Sequence, residues 1–172
     1  MKKNKITINP LQPDSIENAI KVLENLTSQE KLNEFSKRLA ERGVEIAKAR
    51  LVTLGATFTN ELLNSVHVED KGDGVFVIKT DSDHAAFVEF GTGQLGQEGS
   101  YPYPFPEGAN WAYNVGSTIF EIEDGQYGWF YPADDGTWKF TQGMPSRPFM
   151  YETALQLREE ISKVAKEVFS KK

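Results

Sequence analysis

The sequence predicts an α+β fold. A long N-terminal helix and a C-terminal helix pack on a small antiparallel sheet, and an aromatic-rich β unit is inserted before the last helix. Three observations predict this. Apolar residues recur at steps of three and four through residues 14–54 and again through 146–168, the period of a helix with one buried face. Residues 65–78 form two strand-like runs around Asp70-Lys71-Gly72-Asp73-Gly74, the pattern of a β-hairpin. Residues 94–143 then hold twelve of the chain's 20 aromatic residues, punctuated by Gly and Pro, so they form a unit of separate composition.

Length and composition bound the reading. The 172 residues are enough for one domain, residues 1–172, with a real core and with 94–143 as an inserted β-rich extension. At 39% hydrophobic and 26% charged residues the chain has the make-up of a soluble globular protein. No run approaches the roughly 18 apolar residues of a membrane span, and residues 1–5 precede no apolar signal-peptide core. Cysteine is absent, which excludes disulfides, thiolate catalysis and zinc–thiolate sites. The net charge of -6 lies between Gly93 and Gly143, where seven acids face Lys139 alone, and the rest of the chain is neutral. An acidic unit on a neutral body lacks the clustered Lys and Arg that grip phosphates, and reads as a solvated surface.

The elements follow in order. Residues 2–9 carry Ile6 and Ile8 on one side of a short edge strand, ended by Pro10 and Pro13. Asp14 with Glu17 gives a capping-box pattern, and Ile16, Ala19, Ile20, Leu23 and Leu26 form a helical stripe. Thr27 and Glu30 repeat the signature before a longer helix. Leu32, Phe35, Leu39, Ile46 and Arg50 lie along one side of it, and Ala40, Val44, Ala47 and Leu51 beside them. Whether these are two helices or one with a break near Thr27 is open. Gly43 interrupts the longer helix at a cost of ~1 kcal/mol relative to Ala. Residues 55–60 read as a connection. In the hairpin the first strand reads as half exposed and the second, Val75-Phe76-Val77-Ile78, as central.

Asp81-Ser82-Asp83 is a dense helix-capping signal. With Asp83 as cap, residues 84–90 make two helical turns ending at Gly91, where a left-handed residue is expected. The alternative is a third strand with Ala86, Val88 and Phe90 inward; capping signals at both ends favour the helix. In the insertion, residues 118–122 alternate, and 128–131 with 137–141 flank Pro132-Ala133-Asp134-Asp135-Gly136 as a second hairpin. Ser146 and Pro148 then launch the last helix. Its apolar stripe is Met150, Ala154, Leu157, Ile161, Val164, Ala165 and Val168, with Glu159 and Lys163 as an exposed pair.

Candidate chemistry is sparse. His67 and His84, the only histidines, have carboxylates near them in sequence but lack the short-spaced partner of a transition-metal motif. Asp81 with Asp83, or Glu121 with Glu123, offers an acid pair for glycoside hydrolysis, but caps and solvated faces explain these acids better. Gly91-Thr92-Gly93 is not followed by the helix and Lys of a phosphate loop, and no Ser/His/Asp set stands out. No catalytic, cofactor or metal residue is therefore assigned. The insertion's aromatics, with Trp111, Trp129, Tyr131 and Trp138 foremost, read as core or protein interface, or else as a platform for sugar rings. Glu89, alone in an apolar segment, needs a partner. Arg147 or the backbone N–H groups that open the last helix would supply one.

Three stretches carry a resemblance. Thr59-Asn60-Glu61-Leu62-Leu63-Asn64-Ser65-Val66, Ala85-Ala86-Phe87-Val88-Glu89-Phe90-Gly91-Thr92 and Pro145-Ser146-Arg147-Pro148-Phe149-Met150 resemble, in this order, motifs of the tail-component or neck proteins of long-tailed bacteriophages and prophages. The family pattern has Gly where this chain has Asn60, and usually a short link where this chain has residues 94–143. The resemblance implies Thr59, Leu62, Ser65, Glu89, Gly91, Thr92, Pro145, Arg147, Pro148 and Phe149 as the structural motif. It also implies a non-enzymatic structural protein made in the bacterial host cytoplasm. Such a protein would join head to tail or complete the tail as a homo-oligomeric ring in the virion neck, in contact with the capsid connector and with tail-tube or tail-terminator proteins. No cofactor, membrane or sequence-specific nucleic acid is implied. An acidic insertion would suit a lumen that passes DNA, with the aromatics on the opposite side of its strands. The alternative is a carbohydrate- or cell-wall-binding module using the insertion's aromatics.

Overall fold

A computed structural model describes residues 13–26, 28–56, 60–98, 101–105, 107, 120–122, 125–133 and 135–170. The proposed strand at 2–9, Thr59 and Trp111 lie outside them. Helices α1 (Pro13–Leu26) and α2 (Gln29–Thr53) are separate. The cap of α2 is Ser28, one residue beyond the expected Thr27, and its hydroxyl accepts from the Lys31 N–H at 3.4 Å. In α1 only Ala19 of the stripe with described side chains is buried, while Ile20 and Leu23 are half exposed.

Helix α2 packs against the last helix, α6 (Phe149–Phe169). The seam works because small residues line it: Ala40, Gly43 and Ala47 are buried. Gly43, expected to be a cost to the helix, allows close approach. A Cβ there would overlap Ile78 Cδ1 and lie 3.2 Å from Leu157 Cδ2. Charged and polar groups flank the seam, Arg50 to Glu152 at 3.2 Å and to Gln156 at 3.1 Å, and Arg42 to Glu160 at 3.5 Å. Lys163 pairs with Glu160 and not with Glu159 as expected.

The buried face of α6 matches the expected stripe at Val164 and Val168 and departs from it in the first half of the helix. It runs Phe149, Thr153, Val164 and Val168, whereas Ala154 and Ile161 are exposed and Met150 and Leu157 only partly covered. Thr153 accounts for the departure in the first turns. Its hydroxyl donates to the Phe149 carbonyl at 2.6 Å, which satisfies the polar group inside the helix and lets a small residue face the core.

A short helix, α3 (Asn60–Ser65), occupies part of what reads in sequence as connection and strand. The hairpin β1 (His67–Asp70) and β2 (Phe76–Lys79) follows, antiparallel, with Val68 opposite Ile78. It is a two-stranded sheet, so β2 is not central, and α2 covers it. Of the expected helix at 84–90, residues 85–90 are helical, α4 (Ala85–Phe90), and not a third strand. The cap differs: His84 occupies that position without a side-chain bond, and Ser82 instead receives the local N–H groups, His84 N–H at its hydroxyl and Ala85 N–H at its carbonyl. Gly91 ends α4 at φ 81° and ψ 171°, positive φ but not the helical left-handed well.

Helix α5 (Gly93–Glu98) follows, then the three-stranded sheet β3 (Phe120–Ile122), β4 (Gln126–Pro132) and β5 (Trp138–Thr141), in that spatial order. Strand β6 (Gly143–Met144) bridges back to Gly93 and Thr92. The core is the cluster Ala47, Leu51, Ala56, Leu62, Val66, Val88 and Phe149. It sits where the end of α2, α3, α4 and the start of α6 meet.

Candidate functional site

The stretches 85–92 and 145–150, more than fifty residues apart in sequence, form one joint. The N–H of Arg147 donates to the Val88 carbonyl at 2.7 Å, and the N–H of Met144 donates to the Thr92 hydroxyl at 3.2 Å. Helix α6 opens behind Pro148, which has no side chain to cap it. The first N–H groups of any helix lack intrahelical partners. Glu89 supplies the missing acceptor from α4: Oε2 accepts from Met150 N–H at 2.8 Å and Oε1 from Tyr151 N–H at 3.1 Å. A carboxylate at this end also suits the positive pole of the helix dipole.

Glu89 is only 6% exposed. Its third partner is the Tyr101 hydroxyl, which donates to Oε1 at 3.1 Å. Burial pushes the Glu89 carboxyl above the ordinary glutamate range, and the two backbone N–H bonds and the Tyr101 bond only partly oppose that. Burial, then the neighbouring Glu89 charge, raises the Tyr101 phenol, so it stays a proton donor. Of the two partners expected for Glu89, the helix N–H groups are the ones used. Arg147 contributes its backbone, and among the described residues its guanidinium forms no ion pair with Glu89.

The remaining motif residues are distributed around this joint. Leu62 and Phe149 are in the core beside Val88, Pro148 is buried, and Pro145 is exposed. Ser65 donates to the Leu62 carbonyl at 2.9 Å and shares a hydrogen bond with the Thr80 hydroxyl, tying α3 to the end of the hairpin. Gly91 and Thr92 are buried where the two stretches cross.

Sequence reasoning missed the role of residues 101–105, Tyr-Pro-Tyr-Pro-Phe, and grouped them with the insertion by composition. They lie on the body as a strap. Tyr101 is buried, its ring 4.9 Å from Phe90, and Tyr103 stacks on Tyr151 at 4.0 Å and 16°. Phe105 packs 5.5 Å from Phe90. The signal was present in the strict alternation of aromatic and Pro that begins at Tyr101, with eight residues between it and the Glu89 motif.

The insertion's aromatics do not segregate from its acids. Along β4, Tyr127, Trp129 and Tyr131 share one side and Gly128, Phe130 and Pro132 the other. Glu121 is opposite Tyr127, Phe130 opposite Phe140, and Pro132 opposite Trp138. Trp129 is half buried, and a Cβ on Gly93 would meet its ring, so it seats the sheet on α5 and is not a free interface residue. Trp138 is 68% exposed and Tyr131 also faces solvent.

The contacts of His67 and the acids beside it are as follows. His67 Nδ1 faces the Ser65 carbonyl at 2.7 Å, and its Nε2 lies 3.7 Å from Asp81, so the ring is not directed at the Ser65 hydroxyl. Lys79 already occupies the space between Asp81 and Glu69, at 3.1 and 3.7 Å. Among the described residues no group of three or more His, Asp or Glu is placed to hold a metal ion, and no helix is long and apolar enough to cross a membrane. No protein-family model, no curated protein and no solved structure matches the chain.

Proposed function

We propose that the chain is a structural virion protein of a long-tailed phage or prophage. It acts in head–tail joining or tail completion by assembling as a homo-oligomeric ring in the neck, against the capsid connector and tail-tube or tail-terminator proteins. The observation that carries this reading is the joint itself. Two of the three stretches that resemble neck proteins meet through the Glu89 carboxylate and the first turn of α6, and the third supplies Leu62 to the same core. The joint ties α4 to the first turn of α6 over the core that α2 and α3 share, and a ring subunit needs a body fixed in this way.

The assembly surface is on the β3–β4–β5 unit, where Phe130, Tyr131 and Trp138 remain exposed. The same residues support a second reading, a carbohydrate- or cell-wall-binding module, because exposed rings on a β surface stack on sugars. Light scattering on the purified full chain, with negative-stain imaging and a cell-wall glycan pull-down, separates the two. Closed rings without glycan retention support the neck role. A monomer retained on glycan supports the module. Deleting all of residues 94–143 is a poor test, since that would also remove Tyr101 from Glu89 and Gly143 from its bridge to Gly93.

A further inference from the structure

The register of the β3–β4–β5 sheet fixes which backbone groups point out from its two edge strands. Ala133 N–H donates to the Thr137 carbonyl at 2.8 Å, which marks these two as a bonded pair. Bonded and unbonded pairs alternate along an antiparallel ladder. Tyr131 with Lys139 and Trp129 with Thr141 are then bonded pairs, and Trp138 and Phe140 turn their N–H and C=O groups away from β4. On the other side Gly128 and Gln126 are bonded to Phe120 and Ile122, which leaves the N–H and C=O of Glu121 pointing out from β3. Tyr127 agrees with this count, since its N–H points away from β3 to the Gln94 amide oxygen at 3.4 Å. Among the described residues no further strand covers either edge. Glu121 and Lys139 are both exposed, and they stand on the same face, the one that carries Tyr127 and Tyr131.

We propose that the free edge of β5 takes β3 of a second copy as a parallel fourth strand, so that copies join head to tail into a closed ring. The inference rests on the ring reading above and names its contact. In a parallel pair Glu121 of the next copy lies opposite Lys139 on the same face, so opposite charges meet. Its N–H reaches the Trp138 carbonyl, and its carbonyl takes the Phe140 N–H. Lys139 now pairs with the exposed Asp135 at 3.5 Å, a surface contact that exchanges at little cost. The other pairings fit less well. β5 against β5, in the register that uses both Trp138 and Phe140, sets Lys139 opposite Lys139. β5 against β3 in the antiparallel sense turns Lys139 and Glu121 to opposite faces. Parallel addition also keeps strand direction and face from copy to copy, as rotation about one ring axis requires. The stagger suits closure as well. Tyr127, opposite Glu121, and Tyr131, opposite Lys139, are four residues apart on β4, so each unit is offset by about 13 Å. Over the ~14 Å width of three strands this is a tilt of about 42°, within the roughly 35–45° of closed barrels. Setting Glu121 opposite Thr137 or Thr141 instead would give about 54° or 25°.

The chain has no cysteine, so introduced thiols report without background. The full chain carrying both Lys139→Cys and Glu121→Cys is oxidised with copper phenanthroline over a range of concentrations and run on a non-reducing gel. Within one copy the two positions are about 16 Å apart, beyond the ~7 Å Cα limit of a disulfide, so every 121–139 bond joins two chains. Paired strands of neighbouring copies bring them to about 5 Å. The expected result is a ladder of dimer, trimer and higher species that stops at one ring size, while each single variant stays largely monomeric. No ladder from the double variant overturns the proposal. Dimers from Lys139→Cys alone at the yield of the double variant overturn it too, because they show β5 pairing with itself. Rings of the wild type in negative stain, without a ladder from the double variant, would keep the neck reading and reject this contact. A ladder from a chain that is absent from virions would do the reverse.

Discussion

Replacing Glu89 probes the joint most sharply. Glu89→Ala leaves three donors without an acceptor: two N–H groups of the first turn of α6 and the Tyr101 hydroxyl. A buried donor left bare costs ~1–3 kcal/mol, and loss of a helix cap costs ~0.5–2 kcal/mol. An open groove of about 360 Å³, lined by Glu89, Phe90 and Tyr101, admits water on one side, so the lower ends of these ranges apply and the expected loss is about 2–4 kcal/mol. Glu89→Gln keeps the shape and one acceptor but turns an amide NH2 toward the other N–H, for about 1–2 kcal/mol.

The pH dependence of the Gln variant carries the electrostatic part. The folded carboxyl is raised above its unfolded value of about 4.3. The native protein therefore holds the extra proton between the two. The Glu89 contribution is fully present below the unfolded value and declines as pH rises through the folded one. The stability gap between the wild type and Glu89→Gln is thus largest in acid, and it closes by about 1.4 kcal/mol per pH unit separating the two titrations. Urea denaturation followed by circular dichroism, at a series of pH values with the slope checked for constancy, measures this gap. A gap that widens with rising pH would show the N–H bonds outweighing burial and refute the reasoning. So would a Gln variant as stable as the wild type throughout.

Three further outcomes follow from the packing. Gly43→Ala gains about 1 kcal/mol of helix propensity yet loses about 1–3 kcal/mol to overpacking against Ile78, and adding Ile78→Val relieves the loss; a thermal-melt cycle with no coupling between the two sites would contradict the close seam. Gly91→Ala should cost about 3 kcal/mol or more in a denaturant titration, because the residue has φ +81° and a Cβ would lie 2.7 Å from the Ser146 backbone N and 2.9 Å from the Met144 backbone O. Trp138→Ser should change stability by no more than about 0.5 kcal/mol while reducing the proposed ring assembly in light scattering, and an assembly as extensive as the wild type's would remove Trp138 from the proposed surface.

What the sequence showed depended on element length and on polarity. Helices α2 and α6 and both hairpins are long enough, or sharply enough bounded by turns, for their periods to be read directly. Gly91 marked the end of α4 although the expected cap, Asp83, was wrong. The six-residue helices α3 and α5 are too short to show a period. On α6, Val164 and Val168 were read correctly, but the start of the face was misread because Thr153, polar by type, satisfies its hydroxyl on its own helix and goes inward where Ala154 was expected. Gly43 read as a defect because the residue it accommodates, Ile78, lies in another element. At the joint, Glu89 declared itself as a carboxylate in an apolar run, and its need for helix N–H groups followed. Tyr101 did not, since composition placed it with the aromatic insertion while its hydroxyl is bonded to the body.

The central proposal is that this chain is a fixed part of a virion neck. Quantitative mass spectrometry of phage particles, purified from an induced culture of the bacterium that carries the gene, tests it most directly. The account predicts the chain in every full particle, at a constant ratio to the capsid connector protein, as a closed ring requires. Absence from particles, or a copy number that varies between preparations while the connector stays constant, would contradict it.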